Sequence, residues 1–108
     1  MHNLSENFGK FLDICNKFGK KFTNEKGNIK RRGVVPKFSD LEVVALSLTV
    51  EALSIDSENL LFNKLNVEYK VDFPNLISRR QYNDRRKILF CLHKKIRKCI
   101  AEYIDASV

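Results

Sequence analysis

The chain has 108 residues and a formal net charge of +7, and 44% of its residues are hydrophobic. This length predicts a single domain over residues 1–108 with a modest core, and the scarcity of proline and glycine argues against a disordered chain or a loop-rich β fold. No apolar run approaches the ~18 residues of a membrane span, so we expect a cytoplasmic protein with no membrane partner. Its three cysteines are an odd set, which fits reduced thiols in the cytosol.

The positive charge is concentrated at the two ends of the chain. Residues 1–38 carry nine lysines and arginines against three acidic residues, and residues 78–108 carry the same numbers. Residues 39–77 have two basic and seven acidic residues. A nearly uniform sign on each flank favours binding to a polyanion over simple solvation of helix faces.

Residues 5–22 are predicted to form the first helix, because aromatic and aliphatic residues recur there at helical spacing. Residues 23–38 are predicted to form a basic loop that includes Lys30, Arg31 and Arg32. Two interpretations of this loop stay open. It either becomes ordered on a partner or is a mobile connection whose charges only promote solubility.

A capping-box pattern at Ser39 and Glu42 predicts the start of a second helix over residues 40–54. This helix is apolar nearly all round, which is typical of the centre of a bundle. A short third helix is expected over residues 57–66. Alternating apolar residues in the connection 67–77 allow a short extended segment.

A second capping box, Ser78 to Gln81, predicts a single long helix over residues 79–105. At about 100° per residue, its basic residues and one asparagine share an arc of roughly 120°, opposite an apolar arc. The residues of this basic face are Arg79, Arg80, Asn83, Arg86, Lys87, Lys94, Arg97 and Lys98. The sequence therefore predicts an all-α, compact bundle of about four helices with a long C-terminal helix.

A catalytic site is difficult to build from these residues. His93 lies next to two lysines, and with Cys91 and Cys99 it lacks the spacing of zinc ligands. No glycine-rich phosphate-binding motif is present. The sequence therefore predicts no catalytic residue, no metal site and no cofactor, and this chain alone is not expected to be an enzyme.

The short third helix, a connection and a helix that opens with arginines form a loose helix-turn-helix-like arrangement. In such motifs the start of the second helix enters the major groove of DNA. Arg79, Arg80, Asn83 and Arg86 are therefore predicted to affect base preference, since arginine pairs with guanine and asparagine with adenine. The residues predicted to affect general affinity through phosphates are Lys87, Lys94, Arg97, Lys98, Lys30, Arg31 and Arg32. Phe90 falls on the same face and could stack on a base or dock on another domain.

Three segments in order, beginning Pro36-Lys-Phe-Ser-Asp-Leu-Glu, Ser54-Ile-Asp-Ser-Glu and Ser78-Arg-Arg-Gln-Tyr-Asn-Asp-Arg-Arg-Lys, resemble the N-terminal region of bacterial insertion-sequence DDE transposases. The resemblance implies binding of double-stranded DNA at the terminal inverted repeats of the element, for DNA transposition. It also implies an RNase H-like catalytic domain as a partner, in which Asp/Asp/Glu carboxylates hold Mg²⁺. That domain is not contained in this chain. The resemblance also covers Arg85, which lies near the apolar arc and is expected to be a buried anchor or domain-docking residue.

The same basic residues are also compatible with two other functions. The basic face could dock on the catalytic domain or on a second protomer, forming a homodimer, with no direct contact to DNA. The chain could instead bind RNA, although it lacks the motifs and interleaved aromatic residues of known RNA modules.

Overall fold

The computed structural model describes residues 4–29 and 35–107, with side chains as far as Tyr103. Within these ranges the fold is all-α: α1 (Leu4–Gly19), a 3-10 turn (Lys20–Phe22), α2 (Asp40–Ala52), α3 (Glu58–Val67), α4 (Arg79–Ile88) and α5 (Phe90–Ser107). The predicted helical bundle with a long C-terminal helix is confirmed. No helix of the described residues combines the length and apolar character needed to cross a membrane.

Helix α2 lies at the centre of the bundle, as its all-round apolar sequence predicts. It packs against α1 and α4, while α5 packs against α1 and α4, and α3 against α4. Val43, Ala45 and Leu46 on α2 are fully buried. The Ser39 capping box that begins this helix is present, since the Ser39 hydroxyl accepts from the Glu42 amide and the Glu42 carboxylate accepts from the Ser39 amide.

An aromatic cluster joins the first helix to two connecting segments. The Phe8 ring of α1 lies 6.5 Å from the Phe38 ring and 4.6 Å from the Phe73 ring, centroid to centroid. All three residues are buried. Since full burial of such a side chain contributes ~1.5–3 kcal/mol, this cluster stabilises the segments before α2 and after α3 as well as α1.

The described half of the predicted basic loop is ordered by hydrogen bonds. The Asn24 side chain accepts from the backbone amides of Lys26 and Asn28, which makes a tight turn. Gly27 takes a left-handed φ of 80°, and its carbonyl accepts from the Leu41 amide at the start of α2. These hydrogen bonds define a turn over residues 24–28 that leads into α2. Lys30, Arg31 and Arg32 lie outside the described residues.

The predicted single helix over residues 79–105 is wrong in one respect, because it is divided at Leu89. Leu89 has φ −89° and ψ 11°, and its amide still donates to the Arg85 carbonyl. Its side chain is buried, whereas Ile88, which a straight helix would place on the apolar arc, is 68% exposed. The hydrogen bonds Leu89 amide to Arg85 carbonyl and His93 amide to Leu89 carbonyl still link the two parts, and with this division the described residues form five α-helices.

The possible extended segment in the connection 67–77 is also wrong. Residues 68–72 form turns rather than a strand. Val71, one of the alternating apolar residues, is 92% exposed. The alternation therefore does not mark a half-buried strand; Phe73 is the buried residue that fixes this connection.

Candidate nucleic-acid interface

A buried ion pair fixes the position of α4 against the rest of the bundle. The Arg85 guanidinium donates from Nη2 to Asp40 Oδ1 at 2.7 Å and from Nη1 to the Phe38 carbonyl at 2.6 Å. The Asp40 side chain is fully buried, and that of Arg85 is 14% exposed. The expectation that Arg85 is a buried anchor is confirmed, and Arg85 is turned away from the surface that could meet DNA.

The Asp40 carboxylate also organises the loop before α2. Its Oδ2 accepts from the Ile29 amide at 2.8 Å, while the Asp40 amide donates to Asn28 Oδ1 at 2.8 Å. A carboxylate in the first turn of a helix is further stabilised by the helix dipole. One buried acidic side chain therefore connects the loop, α2 and α4.

Three of the residues predicted to read bases converge on Glu58 at the start of α3. Asn83 Nδ2 donates to Glu58 Oε1 at 2.7 Å, and Arg79 Nη1 lies 3.8 Å from the same oxygen. Arg86 Nη2 lies 3.9 Å from Glu58 Oε2 and donates to Asn83 Oδ1 at 3.1 Å. These side chains are brought together as predicted, but a base can reach them only in competition with this carboxylate.

A groove of about 610 Å³ runs alongside this cluster between α2, α4 and α5. Basic residues of both C-terminal helices line it together with two glutamates. Its lining residues are Ser47, Val50, Glu51, Glu58, Tyr82, Arg86, Lys87, Phe90, His93, Lys94 and Arg97. The Ser47 and Tyr82 hydroxyls share a buried hydrogen bond of 3.0 Å, and burial raises the pKa of Tyr82.

Glu51 is the second acidic residue of the groove and is paired with α5. Its carboxylate accepts from Arg97 Nη2, and its Oε1 lies 3.6 Å from His93 Nε2, beyond hydrogen-bonding distance. His93 Nε2 is buried without a hydrogen-bond partner among the described residues. Burial lowers the pKa of His93, against the opposing effect of the nearby Glu51 carboxylate, so the ring is neutral at pH 7.

Four of the predicted contact residues are exposed and have no ion pair within the described part of the chain. They are Arg80, Lys87, Lys94 and Lys98. Arg97 is exposed but paired with Glu51. The cations that remain available for phosphate therefore lie on both α4 and α5, on either side of the Leu89 break.

Sequence reasoning missed the two glutamates and their role. The N-cap of α3 is Ser57, whose hydroxyl accepts from the Leu60 amide. Glu58 instead faces α4. Helical periodicity carried no signal for this contact, because the whole of α3 and residues 68–78 separate Glu58 from the start of α4.

No group of three metal-ligating side chains is found within residues 4–29 and 35–107. Comparisons with protein-family models, with curated proteins and with solved structures gave no match to this chain. Function is therefore inferred from the charge and geometry of the α4–α5 face itself.

Proposed function

We propose that this domain binds double-stranded DNA through the basic face of α4 and α5 and has no catalytic activity of its own. The observation that carries the proposal is a set of four exposed cations on that face, Arg80, Lys87, Lys94 and Lys98, which have no ion pair with any described side chain. Cations without an internal partner can release counterions from a phosphate backbone without first breaking an ion pair. The phosphate contacts supply affinity in this proposal, and Arg80 supplies the first contact to bases.

The resemblance to insertion-sequence transposases suggests which DNA to test. We propose that the terminal inverted repeats of the element are the preferred site and that the domain presents them to a catalytic domain. Asn83 and Arg86 would then contribute to base preference once the base edges replace Glu58 as the hydrogen-bond partner of Asn83 and as the ion-pair partner of Arg86. Because Glu58 must first release them, these two side chains should discriminate between base pairs less strongly than exposed side chains without such a partner.

Fluorescence anisotropy with a labelled duplex, titrated from ~50 to ~200 mM salt, tests the proposal. Lys87→Ala, Lys94→Ala and Lys98→Ala should each weaken binding to every duplex and reduce the salt slope by about one unit. A terminal-repeat duplex should bind more tightly than a scrambled duplex of the same length.

Lys10→Ala is the matched control, because it removes the same charge from an exposed side chain on α1 that pairs with Glu6. Its salt slope should equal that of the unmodified chain. An equal slope in all four variants, or no duplex binding at ~50 mM salt, would reject DNA binding by this face.

A second candidate function is docking on another protein domain or on a second protomer. The observation that favours it is the exposure of two apolar side chains at the α4–α5 junction, Ile88 at 68% and Phe90 at 65%. Replacing both by serine should then abolish self-association or domain binding, measured by sedimentation, while leaving the salt slope for DNA unchanged.

A further inference from the structure

The groove beside the Glu58 cluster contains groups that phosphate contacts to a paired duplex would leave unused. They are an exposed aromatic ring, two hydroxyls and a carboxylate. Its volume of about 610 Å³ falls in the ~300–1,000 Å³ range of sites that enclose a small molecule or a single chemical group. Phe90 lines it and keeps 65% of its surface exposed, although the aliphatic residues Leu92 and Ile96 of the same helix are buried in the core. An exposed ring at the edge of a polar groove is suited to stacking against a planar ligand.

The floor of the groove offers hydrogen-bonding groups at fixed positions. Tyr82 and Ser47 hold their hydroxyls against each other at 3.0 Å, and the Glu51 carboxylate lies 3.6 Å above a buried ring nitrogen of His93. That nitrogen has no hydrogen bond, which is costly for a buried polar atom and marks an arrangement that a ligand could complete. Because Glu51 is half exposed, it can shift to admit such a ligand.

The charges of the groove select among ligands. Lys87 and Lys94 line it without an ion pair to any side chain that the structure describes, whereas both glutamates are already held by arginines. An acidic peptide would bring carboxylates against Glu51 and Glu58. A nucleotide instead brings amino and imino groups, which donate to a carboxylate, and a phosphate, which suits the lysines.

We propose that this groove accepts one unpaired nucleotide of the bound nucleic acid. Its base stacks on Phe90 and meets Glu51, and its phosphate lies toward Lys87 and Lys94. The base must be unpaired, because both of its faces are covered by neighbours inside a duplex. The inference rests on the proposed function, since the same face supplies the phosphate contacts.

The test compares two labelled duplexes of equal length and charge, one fully paired and one with a single mismatched pair, by fluorescence anisotropy. The mismatched duplex should bind about tenfold more tightly, within the range expected for base–aromatic stacking. Phe90→Ala should bring the ratio of the two affinities to about one. Ile88→Ala is the matched control, because this neighbouring exposed side chain does not line the groove, and it should keep the ratio.

The outcomes separate this inference from the proposed function. Salt-dependent binding of both duplexes with equal affinity, or a preference that survives Phe90→Ala, overturns the groove assignment and leaves duplex binding intact. Binding of a single-stranded oligonucleotide through Phe90 without binding of the paired duplex supports the groove and rejects the proposed function. Absence of binding to duplex and single strand overturns both, and displacement of the single strand by poly-glutamate at equal charge overturns the nucleotide specificity.

Discussion

Helix α4 uses arginines in two opposite ways, one residue apart. Arg85 points inward to a fully buried carboxylate and a backbone carbonyl, while Arg86 points outward to the partly exposed Glu58. Both residues are arginines of the same helix. The Arg85–Asp40 pair fixes α4 against the bundle, whereas the Arg86–Glu58 pair determines which donor groups α4 presents at its surface. Burial of the partner, rather than the presence of an ion pair, separates a structural arginine from one available for binding.

The largest expected effect comes from breaking the inner pair. Arg85→Met removes the guanidinium that pairs with the buried Asp40 carboxylate, which should lower the free energy of unfolding by ~3–5 kcal/mol. Arg86→Met removes an exposed pair and should lower it by no more than ~1 kcal/mol. Urea denaturation followed by circular dichroism measures both, and equal losses in the two variants would contradict the distinction.

The inner side of α4 has a second polar contact, the hydrogen bond between Ser47 and Tyr82. Either Ser47→Ala or Tyr82→Phe leaves one buried hydroxyl without its partner, at a cost of ~1–3 kcal/mol. The double variant removes both groups and should be less destabilised than the sum of the single variants. Additive losses in a double-mutant cycle would show that the two hydroxyls do not interact.

At the exposed Glu58 cluster, Glu58→Gln should change the affinity for DNA without changing the free energy of unfolding. The substitution weakens the hold on Arg79, Asn83 and Arg86, so DNA affinity should rise roughly threefold to tenfold at low salt. The free energy of unfolding should change by less than ~1 kcal/mol.

Glu68→Gln is the control for this change, because it removes the same charge from the exposed end of α3. It should leave affinity within about twofold of the unmodified chain, since distant exposed charges are screened. A rise in affinity as large as that of Glu58→Gln would point to net charge alone.

The smallest expected effect concerns His93 of α5, which lines the groove next to Glu51. Its pKa is lowered by burial from the ordinary value of 6.5, so the unfolded chain binds more protons than the folded one just below that pH. Stability should therefore fall as pH drops below about 6.5 and level off below the folded pKa. Denaturation at pH 7.5 and pH 5.5 should show this loss in the unmodified chain and a smaller loss in His93→Gln.

The helices and their caps were predictable because local signals and burial agree. Ser39 and Ser78 begin α2 and α4 with the capping boxes that the sequence predicts, and α2 is buried as its composition requires. The break at Leu89 was not predictable, since neither glycine nor proline marks it. Leu89 is a good helix former, so local propensity favours a continuous helix there.

The basic residues of the candidate site were predictable from the sequence, but the positions of its two glutamates, Glu51 and Glu58, were not. Periodicity correctly grouped Asn83 and Arg86 on one face, because the helix is regular over residues 79–88. It could not show that Glu58 occupies their donors, since the two helices meet through a turn-rich connection whose path the sequence does not specify. The same limit hid the groove, because its lining residues come from four helices, α2, α3, α4 and α5.

The Asp40–Arg85 pair also has a kinetic consequence. It joins residues 45 positions apart in the chain, and the same carboxylate accepts from the Ile29 amide, so these contacts hold the loop and helix α4 together. Closing so long a loop carries an entropic cost before the contact forms. We therefore expect the pair to form after the folding transition state, so that Arg85→Met mainly accelerates unfolding while the refolding rate changes little.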